Sequence, residues 1–260
     1  MKANVKSAEE LFNDTFSRWM RAWAIIWSFR EVLEAGLPSA EKFISARKVY
    51  FMHSLLTEPV GENLFLVDRK KLIEERWDEK FAAIVTQQAL QNARASVDAA
   101  SLVFAHSVLE ANVSDYLRVT ALVAPKDWAE EVCKKQVSLG EVQEASFDKL
   151  FGDSLEKRLE QLERESLLKK TGVLFARCKP PAKWSPMADY QFDSERLEKL
   201  DRLRHDIVHG EALGSAITNV VDELDYLCRS TMFLMGLVNL RYGLRLDPMH
   251  GARAAAGKGT

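Results

Sequence analysis

Cysteine, net charge and long apolar runs are all scarce in this chain, and each scarcity removes a class of protein. Only three cysteines occur among the 260 residues, Cys133, Cys178 and Cys228, and none forms a Cys-x-x-Cys pair. Neither a zinc ribbon nor a disulfide scaffold is built that way, and isolated thiols suit a reducing compartment. Lysine plus arginine number 36 against 38 Asp plus Glu, a formal net charge of -2. No whole-protein field therefore draws in nucleic acid, and any polyanion site has to be a local patch. No apolar run follows Lys2 and Lys6, so no secretory signal is expected. The most apolar early stretch, Trp19 to Phe29, is interrupted by Arg21, closed by Arg30 and too short to span a bilayer. The expectation is a cytoplasmic protein that does not use a membrane.

What is abundant is helical periodicity. Ser7 is placed to cap a first helix, with Glu9 and Glu10 in its first turn, where the helix dipole favours negative charge. That helix is predicted to run to about Ala35 and to stop at Gly36-Leu37-Pro38. Trp19, Trp23 and Trp27 recur every four residues and form one stripe on it, read as core packing or a dimer seam, with ligand stacking as the alternative. Ser39 is placed to cap a second helix through Leu56. The stretch Thr57 to Asn63 is rich in turn residues, Asn63 to Asp68 reads as one short strand or an extended linker, and a soft boundary falls near residue 75.

From Glu79 to about Val123 there is neither Pro nor Gly, and Ala89, Ala93, Val97, Ala100, Phe104, Val108, Ala111 and Leu122 recur at helical spacing. Pro125 ends this long helix. Shorter helices or turns follow around Gly140 and Gly152, and Ser154 is read as starting a helix that extends to about Lys170. Lys179-Pro-Pro-Ala-Lys-Trp-Ser-Pro is a loop by composition. Asp193 or Ser194 is placed to cap a helix ending at His209, with Gly210 just past its end. A broadly apolar last helix is expected over about 216–242. The reading is an all-α helical bundle over 76–245, an additional N-terminal helical region over 1–75, and a disordered tail over 246–260.

The segment Arg204-His205-Asp206-Ile207-Val208-His209-Gly210 concentrates the chemistry. In one reading Arg204 and His209 form a catalytic pair. An arginine grips phosphate with a planar fork that never loses its charge, and a histidine exchanges protons near neutral pH. Those two groups suffice to cleave RNA without metal, provided a symmetric dimer brings two copies of each to one phosphodiester. In a second reading His205 and His209, four residues apart on one helix face, are metal ligands. A related version is a metal-dependent His-Asp phosphohydrolase built from His106, His205-Asp206 and Asp222. In a third, the histidines merely cap helix carbonyls.

Arg204, the polar His205 and His209, followed by Gly210, resemble the Arg-x4-His signature of the HEPN superfamily (higher eukaryotes and prokaryotes nucleotide-binding domains). The upstream helix Leu102 to Arg118, with Glu110, resembles the family's first core helix, so the resemblance covers roughly 80–245 and leaves 1–75 outside it. It implies a four- to five-helix bundle and a metal-independent endoribonuclease that needs no cofactor and acts as a homodimer. Such proteins work in toxin–antitoxin, phage-defence or RNA-processing systems, and some members are non-catalytic nucleotide- or protein-binding modules. On that resemblance Arg204 and His209 are the catalytic residues, with His205, Asp206 and Glu110 supporting them. A toxin subfamily carries a Tyr two residues after the His, which a partner nucleotidyltransferase modifies. This chain departs from that pattern with Glu211.

A window from Lys169 and Lys170 through Arg177, Lys179 and Lys183 contains no acidic residue. It is read as tracking an RNA backbone or as a solvated basic loop. Trp184 and Tyr190 beside it are placed to stack bases or to anchor the loop. Glu110 is expected to hold Arg204 or orient a histidine, the alternative being an exposed pair with His106.

Overall fold

The computed structural model describes residues 2–46, 79–132, 147–181, 184–187, 189–210, 217 and 219–250. Seven α-helices account for nearly all of them: α1 (Lys2–Ala46), α2 (Glu79–Val123), α3 (Ala129–Val132), α4 (Phe147–Glu163), α5 (Leu167–Cys178), α6 (Ser194–Val208) and α7 (Val220–Tyr242), with a 3-10 turn at Pro125–Trp128 before α3. No strand occurs among the described residues. The fold is all-α, and no helix among them is long and apolar enough to cross a membrane.

The long helix α2 is the axis of the bundle. α1 lies antiparallel along it, as its ion pairs show by running in opposite order on the two helices. Arg18 pairs with Asp115, Arg30 with Asp98 at 2.5 Å, and Arg94 with Glu34 at 2.5 Å. Phe12 packs on Tyr116 with ring centroids 6.1 Å apart, and Trp19 and Trp23 are buried in the same core as Leu102, Leu109 and Leu234. The tryptophan stripe is therefore core packing. α1 shares one core with the rest of the bundle. The expected boundary near 75 and the strand or linker at 63–68 lie outside the described residues.

Three expectations are corrected. The first helix does not stop at Gly36-Leu37-Pro38 but continues to Ala46. A proline inside a helix removes a donor and crowds the carbonyl four residues back. The ion pairs from Arg30 and Glu34 nonetheless hold α1 against α2 up to this point. The apolar set read on α2 mixes its two sides: Ala93, Ala100, Phe104 and Ala111 are exposed, Val108 and Leu122 pack against the core, and the buried residues are others, Ala99, Leu102, Ala105, Leu109, Val113 and Tyr116 among them. Alanine-rich helices carry apolar residues all round, so periodicity alone does not choose between stripes. Finally, the tail orders beyond residue 245. Asn13 Nδ2 donates to the Arg245 carbonyl at 3.0 Å, Asp247 N–H donates to Asn13 Oδ1 at 2.7 Å, and His250 Nε2 lies 2.9 Å from Asp14 Oδ1. Residues 246–250 thus dock on α1, while 251–260 lie outside the described residues.

Local chemistry sets the elements that matter for the site. Ser166 caps α5, its Oγ accepting from Lys169 N–H at 3.4 Å, so the single helix expected from Ser154 to Lys170 is two helices, with Gly152 inside the first. Asp193 caps α6 by accepting from Glu195 and Arg196 N–H, each at 3.0 Å. α6 ends at Val208 with His209 as its C-terminal cap. The next residue, Gly210, has φ +76, a left-handed conformation that a side chain disfavours.

Candidate functional site

The motif helix α6 presents two different sides. His205 and His209 are exposed near its C-terminal end, their rings 4.2 Å apart between centroids, and Val208 between them is also exposed. Asp201 and Arg204 lie nearer α2 and α5, and His205 borders the same cleft as they do. Arg204 Nε is buried and makes no hydrogen bond. Arg204, Asp201, His205 and Asp206 line an open cleft of about 570 Å³, whose opposite wall is Glu110 of α2 and Arg164 to Leu167 at the start of α5. His209 does not line this cleft. Five residues along an α-helix correspond to a rotation of about 140°, so one copy of α6 does not aim Arg204 and His209 at one point.

Beneath the cleft lies a buried polar layer. His106 of α2 is fully buried, and its Nε2 lies 3.2 Å from Asp201 Oδ1, an ion-pair distance, although neither ring nitrogen is in a hydrogen bond. Burial pushes the imidazole below its ordinary value. The Asp201 and Glu110 carboxylates oppose that shift, while Arg204 and Lys170 add to it. Lys170, 2% exposed, donates from Nζ to Glu110 Oε1 at 2.8 Å. Glu110 therefore holds neither Arg204 nor a histidine, which corrects the expectation. Lys170 belongs to a helix packed on α2, not to a basic loop.

The basic window divides further. Arg177 is committed inside the protein: it pairs with Glu131, donates to the Asp127 carbonyl and lies over the Trp128 ring, 4.7 Å from its centroid. A guanidinium so engaged is not free to track an RNA backbone, which corrects that expectation. Lys169 pairs with Glu165 at 2.7 Å. Lys179 caps α5 and is exposed, and Lys183 lies outside the described residues. Tyr190 is buried, its hydroxyl 2.6 Å from Ser230 Oγ, and Trp184 packs on Phe233 with centroids 5.5 Å apart. Both anchor the loop to α7, and Tyr190 has no face left for a base.

The residues of the metal reading stand apart. Asp222 lines a different cleft with Tyr190 and Tyr226, His205 is exposed and His106 is buried. Among the described residues no three His, Cys, Asp or Glu side chains converge as metal ligands would. Sequence reasoning missed the part played by His106, Asp201 and Lys170. The signals were there: His106 and Glu110 are four apart on α2, and Ser166 is a capping residue that would have placed Lys170 in the first turn of a new helix instead of at the end of the preceding one. No protein-family model, curated protein or solved structure matches this chain.

Proposed function

We propose that this protein is a metal-independent endoribonuclease of HEPN type, acting in the cytoplasm as a homodimer. The observation that carries the reading is Arg204: its guanidinium sits in an open cleft with no carboxylate partner among the described residues. An unpaired planar cation in a cleft is suited to phosphate. In the reaction the ribose 2′ oxygen forms a bond to the adjacent phosphorus as the bond from phosphorus to the 5′ oxygen breaks. The 2′ proton is taken up by a base and a proton is returned to the departing 5′ oxygen, leaving a 2′,3′-cyclic phosphate and a 5′-hydroxyl. His209 is the proton-transfer group and Arg204 stabilises the charge building on the phosphoryl oxygens.

Because the two residues diverge around α6, the complete site needs a second copy of the chain, whose exposed α6 terminus supplies the missing histidine. RNA is the substrate, and a small antitoxin or regulatory protein is the partner such an activity calls for. The same divergence also favours a second reading, a non-catalytic module in which Arg204 holds a nucleotide phosphate and no proton moves. Incubation of single-stranded RNA with the wild type, Arg204→Ala and His209→Ala variants in EDTA separates the two. Cleavage by the wild type alone supports the enzyme, and binding without cleavage supports the module.

A further inference from the structure

Among the described residues Arg204 has no ion-pair partner, although spacing alone would give it one. Asp201 is three residues before it on α6, a separation at which helical Asp and Arg side chains meet. Glu110 and Glu165 line the same cleft. Each of the three has another group within ion-pair distance. Asp201 lies against His106 at 3.2 Å, Glu110 accepts from Lys170 at 2.8 Å, and Glu165 pairs with Lys169 at 2.7 Å. Asp206 is two residues beyond Arg204, a spacing at which helix side chains do not face each other. The other arginine of this stretch, Arg202, is already bound to Glu198 at 2.5 Å.

We propose that His106 and Lys170 are positioning residues that hold Asp201 and Glu110 away from Arg204, keeping its guanidinium free for a phosphate of a bound nucleic acid. This deepens the ribonuclease reading, on which it rests for the identity of the ligand. His106 is the sharper of the two because it engages the acid on Arg204's own helix. It is enclosed by Asp201 and Arg204 of α6, Glu110 of its own helix and Lys170 of α5, and burial keeps it toward the neutral form. A neutral imidazole lying 3.2 Å from Asp201 Oδ1 occupies that side of the carboxylate without adding a cation that would compete for the phosphate. If His106 is removed, Asp201 turns to Arg204 and neutralises it.

The test is the affinity of a fluorescent 2′-O-methyl oligoribonucleotide, which lacks the attacking hydroxyl and is not cleaved, read by anisotropy at fixed salt. His106→Leu is expected to weaken binding about tenfold, the worth of one charge-assisted contact. Adding Asp201→Asn in that background is expected to restore affinity to near wild type, because the amide cannot neutralise Arg204. Asp201→Asn alone, at a position that keeps contact with water, is expected to bind at least as well as wild type. A packing role for His106 predicts no rescue, so loss without rescue overturns the proposal, as does wild-type affinity in His106→Leu. If His106→Leu fails to fold, the single variant still decides: weaker binding by Asp201→Asn makes Asp201 a ligand contact and overturns the proposal. Wild-type binding that does not depend on Arg204 also overturns it. Binding and rescue without cleavage of ordinary RNA would overturn only the ribonuclease reading.

Discussion

The ammonium of Lys170, almost wholly buried on α5, donates to Glu110 Oε1 of α2 at 2.8 Å and so ties together the two helices that wall the Arg204 cleft. A buried charge with one partner is stable only while that partner remains. Glu110→Ala is therefore expected to cost about 3 kcal/mol, the low end for breaking a buried pair because Glu110 keeps some contact with water. Combining it with Lys170→Met should recover most of that loss. Urea denaturation of the single and double variants checks this, and additive losses would show that the pair is not coupled.

Arg204→Ala and His209→Ala are each expected to remove most RNA cleavage, by a factor on the order of a hundred to ten thousand. His209 is exposed at the end of α6, so its removal should leave helical circular dichroism and the melting temperature unchanged. Arg204→Lys should fail as well, since a point charge does not reproduce the planar fork. The effects of the two alanine changes should not multiply, because the residues act as a unit. Full activity in both alanine variants would end the catalytic assignment.

Cleavage should persist in excess EDTA, and its product should carry a 2′,3′-cyclic phosphate, because the nucleophile is the neighbouring hydroxyl. End-group analysis of the fragments by mass spectrometry reads this directly. Loss of activity on chelation, restored by a divalent ion, would favour the metal-dependent reading instead.

The state of His106 shapes the pH dependence of stability. Its folded value is lowered by burial, so between that value and the ordinary histidine value the unfolded chain binds more protons than the folded one. Stability therefore falls as pH drops below about 6.5, and His106→Gln should show a shallower decline over that window. Melting temperatures of the two proteins from pH 7.5 to 5 measure the difference. Parallel curves would mean that acid destabilisation arises elsewhere.

Gly236 of α7 lies where Pro186, in the loop between α5 and α6, packs on the helix. A Cβ placed there would meet Pro186 Cβ at 3.0 Å and Pro186 Cγ at 3.1 Å. Gly236→Ala is expected to destabilise by about 1–3 kcal/mol despite alanine's better helix propensity. Thermal melting checks the sign. A gain in stability would mean that the loop moves aside without cost.

Helicity, the limits of α2 and the cap and stop of α6 were legible in the sequence because they rest on local chemistry: an uninterrupted stretch closed by Pro125, the Asp193 cap, and Gly210 in a left-handed turn. Arg204 and the two exposed histidines were legible for the same reason, as residue types on one short helix. Which face of α2 is buried was not, since its apolar residues surround the helix and only the packing of α1, α5, α6 and α7 chose the stripe at Leu102, Leu109 and Tyr116. Nor were the partners of the charged groups. Spacing would pair Asp201 with Arg204, and only the packing of α2 and α5 against α6 brought His106 and Lys170 close enough to take the carboxylates. Short-range geometry is written in neighbouring residues, whereas the choice among competing ion pairs depends on distances between helices far apart in the chain.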